Sequence, residues 1–149
     1  MDTKDLQLLR LLQSDAGLSA NELAERTALS RTAVWRRVRD LEERGVIRRK
    51  VALLDPAAVG FPLTVFALVR TNRHSDDWYE RFRKAVSSIP QIVEFHRTSG
   101  DLDYLLRIVA RDMHDYDQVY RTLIRAVDLA DVSSTFVMET IEATTALPI

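Results

Sequence analysis

The sequence predicts an α+β protein with an N-terminal helix-turn-helix domain followed by a ferredoxin-like βαββαβ sandwich domain. The first 45 residues contain three short helical patterns, separated by residues that cap or break helices. From residue 63 onward, strand-like and helix-like segments follow in the order β-α-β-β-α-β. We therefore expect a helical domain over 1–50, a hinge strand or linker over 51–62 and an αβ domain over 63–149.

The first two helices are indicated by their apolar spacing and by their ends. Leucines recur at helical spacing within Leu8–Leu12, and Gly17 follows them. Ser19 then precedes a second apolar pattern, with Glu22 three residues later. Because a serine and a glutamate at this spacing can satisfy each other's backbone amides, the pair predicts a capping box at the start of the second helix.

The third helix begins after a tight turn over residues 27–29. Ser30 can cap its start, and Gly45 can adopt the left-handed conformation that ends it. Its apolar positions lie three or four residues apart and predict one buried stripe: Val34, Val38 and Leu41. Two helices joined by a short turn form a helix-turn-helix, in which the second helix can enter a DNA major groove.

The exposed side of the third helix carries side chains that can read DNA. Residues 31–50 have a net charge of +5, whereas residues 51–149 have a net charge of −4. Arginine binds phosphates and guanine edges, and threonine or indole groups pack on thymine methyls. Trp35 could instead pack at the edge of the core. The predicted DNA-binding residues are Ser30, Arg31, Thr32, Trp35, Arg36 and Arg39.

The segment after the third helix is predicted to contain a short strand over Val46–Leu54, which begins with β-branched residues. Asp55-Pro56 and Gly60-Phe61-Pro62 then indicate a linker. Arg48 joins the predicted DNA-binding residues because it can touch a flanking phosphate. A charged edge strand that only maintains solubility is the alternative.

The C-terminal domain is predicted from alternating and helical patterns. Strands are expected at 63–69, 92–98, 103–110 and 132–141. Helices follow Ser75 and Asp112, and the second of them places Met113 and Ile124 on its inward side. The two helices cover one face of the sheet. The open apolar face then favours a homodimer, which would present two recognition helices to a palindromic site on double-stranded DNA.

The turn within Thr98–Tyr104 is the only cluster that suggests a small-ligand site. Amides around Gly100 can receive a carboxylate, and Asp101 or Asp103 can pair with an ammonium group. An amino acid carries both groups. The alternative is an ordinary turn, for which serine, glycine and aspartate are typical residues.

Several classes of function are not supported by the residues. The chain has no cysteine, its three histidines are not at metal-ligand spacing, and it lacks phosphate-loop and nucleophile-elbow motifs. We therefore expect no enzyme activity, no metal and no cofactor apart from an effector. No signal peptide or membrane-spanning run is recognised, so we expect a cytoplasmic protein without membrane partners.

The chain resembles the leucine-responsive/asparagine-regulator (Lrp/AsnC, feast/famine) family along essentially its whole length. The matching elements are Asp5 with the leucines of the first helix, Leu29–Thr32, Arg37–Ile47, Gly100–Leu106 and Thr144–Pro148. The resemblance implies a transcription regulator whose dimers assemble further into octamers and bind an amino-acid effector between dimers. An architectural protein that wraps DNA without any effector is the alternative.

The resemblance also extends the candidate effector site. Family contacts fall on the loop and on the start of the last strand, which gives the effector-binding set Thr98, Gly100, Asp101, Asp103, Tyr104, Ser134 and Thr135. Residues 50–56, together with Trp78-Tyr79, look like a branch that responds to cysteine, so cysteine is a candidate effector.

Overall fold

The computed structural model describes residues 1–149 and divides them into two compact units. Unit 1 comprises Met1–Leu53 together with Ile141–Ile149, and unit 2 comprises Leu54–Thr140. The sequence predicts that the last nine residues belong to the C-terminal domain, whereas in the structure they belong to unit 1 with the N-terminal helices. The domain limits stay a prediction. No helix is both long and apolar enough to cross a membrane.

Unit 1 contains the three predicted helices: α1 (Thr3–Ser14), α2 (Ala20–Thr27) and α3 (Arg31–Glu43). Each begins at a side chain that accepts a backbone N–H bond, and both α1 and α2 have a complete capping box. The predicted pair of Ser19 and Glu22 forms the box of α2. The helices enclose a small core of Leu8, Leu12, Leu23, Ala24 and Val34.

The turn between α2 and α3 uses a left-handed alanine. Ala28 has a φ of 53°, a backbone conformation that costs a non-glycine residue about 1–2 kcal/mol. Its N–H bonds to carbonyls at the end of α2, which offsets part of that cost. At the end of α3, Gly45 has the predicted positive φ, and Ile47 N–H bonds back to the Leu41 carbonyl at 3.0 Å.

The strand predicted over Val46–Leu54 is wrong for the single chain. These residues have no regular secondary structure, and Val51, Leu53 and Leu54 are exposed by 57%, 72% and 69%. A β-strand needs a neighbouring strand to satisfy its backbone, and no segment of this chain pairs with these residues. Their β-branched and apolar composition therefore gave a misleading signal.

Unit 2 is the predicted βαββαβ arrangement. Its elements are β1 (Leu63–Arg70), α4 (Asp76–Ser87), β2 (Ile92–Arg97), β3 (Tyr104–Ala110), α5 (Met113–Ala126) and β4 (Asp131–Phe136). The antiparallel sheet has the order β2-β3-β1-β4. Alternate residues of β1 and β3 are buried against α4 and α5, around Trp78 and Phe82.

Two details of unit 2 differ from the prediction. β4 ends at Phe136 rather than Ile141, because pairing with β1 extends only from Asp131 to Phe136. Met113 and Ile124 are exposed by 58% and 44%, since the inward stripe of α5 runs through Tyr116, Val119 and Leu123. Helical periodicity locates this stripe but does not define its width.

The C-terminal segment Ile141–Ile149 lies along α1 within unit 1. The Gln13 side chain donates to the Leu147 carbonyl and accepts from the Leu147 N–H, both at 2.9 Å. Arg10 Nε donates to the Ile149 carbonyl oxygen. The Gln13 amide thus bonds both the N–H and the C=O of one residue, as a neighbouring strand would, and this fixes the segment on α1.

Candidate nucleic-acid interface and ligand pocket

The exposed face of α3 contains the predicted DNA-binding residues of that helix. Arg31, Thr32, Trp35, Arg36 and Arg39 are all exposed, whereas Val34 and Leu41 on the opposite side are buried. The burial of one apolar stripe thus turns the basic side chains outward.

The arginines differ in how freely they can meet a phosphate. Arg31, Arg36 and Arg48 have no carboxylate within 4.0 Å, whereas Arg39 Nε pairs with Glu43 at 2.7 Å. Arg37 is held by two aspartates of the α1 N-terminus and is therefore occupied within the unit. A free guanidinium can bind a phosphate without first breaking an existing ion pair.

Trp35 lies outside the core, with 60% of its surface exposed. The guanidinium carbon of Arg39 lies 5.3 Å from the indole ring centroid, a cation–π arrangement. Trp35 also borders an open groove of about 490 Å³ that Leu12, Leu18 and Leu23 help to line. The indole therefore combines an exposed apolar surface with a neighbouring cation.

Ser30 and Arg48 lie at the two ends of this region. The Ser30 hydroxyl accepts the Ala33 N–H at 3.2 Å, which caps α3 and leaves the side chain at the N-terminus of the helix. Arg48 follows α3 in the segment without regular structure and is exposed. Both positions are accessible to a ligand that contacts α3.

The predicted ligand loop borders a pocket of about 360 Å³ in unit 2. The loop joins β2 to β3, and the pocket has both apolar and polar lining residues: Leu68, Thr98, Ser99, Asp101, Leu102, Tyr104 and Leu105. Thr98, Asp101 and Tyr104 are thus members of the predicted set that line it.

Hydrogen bonds within the chain hold the loop in place. Thr98 Oγ1 donates to the Leu102 carbonyl at 2.6 Å, and one Asp103 carboxylate oxygen accepts the Thr71 N–H at 2.8 Å. Gly100 has a φ of 102°, which favours glycine at this position. These side chains shape the loop, and the Asp103 carboxylate is already engaged by the backbone.

The Asp101 carboxylate makes no ion pair. The backbone carbonyl of Asp101 accepts a hydrogen bond of 2.9 Å from Arg70 Nε. Arg70 is the last residue of β1 and lies on the same face as Leu68. Arg70 is not evident as a site residue from the sequence, because it precedes Asp101 by 31 positions. Only the pairing of β1 with β3 brings the two together.

Ser134 and Thr135 lie in β4 and point to opposite faces of the sheet. The Ser134 hydroxyl hydrogen-bonds to the Tyr116 hydroxyl on the helix-covered face. Thr135 is in register with Phe66 and shares the uncovered face with the pocket leucines, but neither residue lines the pocket. Within one chain, the structure does not bring these two predicted residues into contact with the loop.

Tyr104 belongs mainly to the core. Its ring is packed among Trp78, Phe82 and Phe95, with centroids 5.2 to 6.0 Å away. Burial raises the pKa of its hydroxyl above the ordinary value. Tyr104 therefore anchors the end of the loop to the aromatic core.

Family models match both units. A model described as winged helix-turn-helix DNA-binding matches residues 1–48, and one described as the Lrp/AsnC ligand binding domain matches residues 64–147. The DNA-binding transcriptional activator DecR of Escherichia coli is 45% identical over 150 residues, which cover 100% of this chain and 99% of the relative.

Solved structures of similar chains have the same fold. An AsnC family transcriptional regulator from Agrobacterium tumefaciens has a TM-score of 0.94 and 50% identity, with 99% of this chain and 97% of that chain covered. A transcriptional regulator of Neisseria meningitidis, solved as a complex with L-methionine, has a TM-score of 0.94 and 35% identity. That match covers 99% of this chain and 96% of the other.

Proposed function

Because the chain belongs to the Lrp/AsnC family of transcriptional regulators, we propose that α3 reads a palindromic DNA site and that the loop pocket senses a small amino acid. The protein is a regulator that combines a winged helix-turn-helix with an Lrp/AsnC ligand-binding domain. We assign residues to DNA contact and to effector contact, and we propose that the two binding events are linked.

DNA contact is assigned to the exposed side of α3 and the residues that flank it. The main observation in support of this assignment is that Arg31 and Arg36 are exposed on this side without a carboxylate partner. The proposed contact residues are Ser30, Arg31, Thr32, Trp35, Arg36, Arg39 and Arg48. Arginine and threonine groups on one helix face suit base edges, while Arg48 suits a flanking phosphate.

Effector binding is assigned to the loop pocket and β4. The pocket borders the unpaired Asp101 carboxylate, which suits an ammonium group, and its leucines suit the side chain of a small amino acid. The relative crystallised with L-methionine supports this class of ligand, and cysteine is a second candidate. The proposed effector set is Thr98, Gly100, Asp101, Asp103, Tyr104, Ser134 and Thr135.

In this proposal, oligomer assembly couples effector binding to DNA binding. The sheet face opposite α4 and α5 carries Phe66, Leu68, Leu105 and Val109, all half-buried in the single chain. Covering this face with a second copy forms a dimer, and dimers combine into an octamer with the effector between them. An effector that binds one oligomeric assembly more tightly than another shifts the equilibrium between them. This shift changes which DNA half-sites can be bound at the same time. Ser134 and Thr135 then meet the effector only in the assembled form.

Fluorescence anisotropy with a DNA fragment from the promoter of its own gene tests the DNA-contact assignment. Arg36→Ala should weaken binding at least tenfold and lower the slope of log K against log salt by about one. Lys84→Ala, in α4, removes the same charge from unit 2 and should leave both quantities unchanged. Equal effects of the two substitutions would contradict the assignment.

The same titration, repeated with each of the twenty amino acids, distinguishes a sensor from an architectural DNA-wrapping protein. A sensor requires at least one amino acid that changes DNA affinity and raises Tm in a concentration-dependent manner. An architectural protein requires neither. Binding to DNA with no response to any amino acid would therefore favour the architectural alternative.

A further inference from the structure

We propose that Arg70 binds the carboxylate of the amino-acid effector, an inference that rests on the proposed function. Arg70 ends β1 beside the pocket, on the same sheet face as Leu68, and contacts the loop through Asp101. Arg70 is exposed and has no carboxylate within 4.0 Å. Its guanidinium therefore makes no ion pair at the edge of the pocket.

The hydrogen bonds of Arg70 leave suitable donors free. Only Nε is used, in the 2.9 Å bond to the Asp101 carbonyl, and neither terminal nitrogen has an acceptor in the chain. Because Nε is held, the guanidinium is anchored while the edge formed by the terminal nitrogens stays open. A guanidinium edge binds a carboxylate through two parallel N–H bonds, which gives both strength and orientation.

Among the polar side chains of the loop, the Asp101 carboxylate is the one anion that remains free beside the Arg70 guanidinium. The carboxylate of Asp103 is bonded to the Thr71 N–H and the hydroxyl of Thr98 to the Leu102 carbonyl, whereas the Asp101 carboxylate has no partner. The pocket edge thus offers one free guanidinium and one free carboxylate joined by the Arg70–Asp101 contact. A zwitterion complements both charges, and the leucine lining favours one with an apolar side chain such as methionine.

A purely structural role for Arg70 is the competing explanation, since its Nε also supports the loop. Arg70→Gln separates the two roles because it retains a donor for the Asp101 carbonyl but removes the charge. Arg97→Gln provides the matched control. Arg97 ends β2 in register with Tyr104, so it lies on the helix-covered face, and it makes no bond to Asp101.

The experiment measures Kd by calorimetry for L-methionine and L-methioninamide, which lacks the carboxylate, and repeats the pair with L-cysteine and L-cysteinamide. Wild-type protein should prefer each acid over its amide by at least tenfold. Arg70→Gln should reduce that preference to about twofold, while Arg97→Gln should keep it. A Tm measured without ligand confirms that each variant is folded.

Two results would overturn the inference in distinguishable ways. If Arg70→Gln weakens acid and amide equally, Arg70 only supports the loop, and the amino-acid site itself stands. If wild-type protein binds none of these amino acids in calorimetry and responds to none of the twenty in the anisotropy titration, the proposed effector site fails together with the role of Arg70.

Discussion

Asp115 is a buried carboxylate in the first turn of α5 that is stabilised by Arg111 and Gln91. It is 3% exposed and accepts bonds from the N–H and the guanidinium of Arg111 and from the Gln91 amide. The Arg111 side chain is the main reason that the pKa of Asp115 falls to about 2. Because the folded-state pKa lies below the unfolded one, this carboxylate stabilises the protein above pH 3.8, and the contribution is lost as the pH falls towards 2.

Asp115→Asn should therefore lower the free energy of unfolding by about 2 kcal/mol at pH 7. It should also flatten the dependence of stability on pH between 4 and 2. Urea unfolding followed by circular dichroism at several pH values measures both quantities. Asp117→Asn, which breaks an exposed ion pair with Arg121, should change stability much less. Equal losses from both substitutions would argue against the special role of Asp115.

Helix α3 carries an arginine that holds the fold together, Arg37, directly after one that we propose contacts DNA, Arg36. Arg37 donates to Asp2 and Asp5 at 2.7 Å each and so ties α3 to the N-terminus of α1. The capping bonds between Asp2 and Asp5 lower the pKa of each carboxyl, as does the bonding of each to Arg37. Arg36, one residue earlier, has no such partner. In the proposed function, α3 therefore divides its arginines between folding and recognition.

Arg37→Ala should lower Tm by several degrees because it leaves two aspartates without their cation. At a temperature where the variant is folded, it should leave the salt dependence of DNA binding unchanged. Differential scanning calorimetry and the anisotropy titration measure the two effects. Arg36→Ala should show the reverse pattern, with an unchanged Tm and a reduced salt slope. Matching patterns for the two variants would refute this division.

Local signals predicted most of the elements, whereas contacts between distant residues were not predictable. Ser19 with Glu22 and the alternation of β1 act within a few residues, so the helix starts and strands could be located. The contact of Arg70 with Asp101 depends on strand pairing and escaped sequence reasoning. The strand predicted over Val46–Leu54 is absent for the opposite reason: its composition suits a strand, but the chain supplies no partner strand for it.

The proposed dimer depends on the apolar sheet face of unit 2 that α4 and α5 leave uncovered. Phe66 lies at its centre, in register with Arg107 on one side and Thr135 on the other. Phe66→Lys should weaken self-association by about a hundredfold, since a charge would replace a buried apolar contact. Light scattering coupled to size-exclusion chromatography measures the mass. Ile124→Lys, at an exposed position on α5, is the control and should leave the mass unchanged. An unchanged mass for Phe66→Lys would place the dimer contact elsewhere.

The C-terminal segment on α1 makes the chain pass between the two units twice, once after Leu53 and again after Thr140. A protease that cuts the exposed stretch between residues 54 and 60 would remove only the first of these connections. The resulting fragments would still be held together by the bonds of Gln13 and Arg10 to the segment. A nicked molecule would then migrate as two pieces in denaturing gels and as one particle in native buffer.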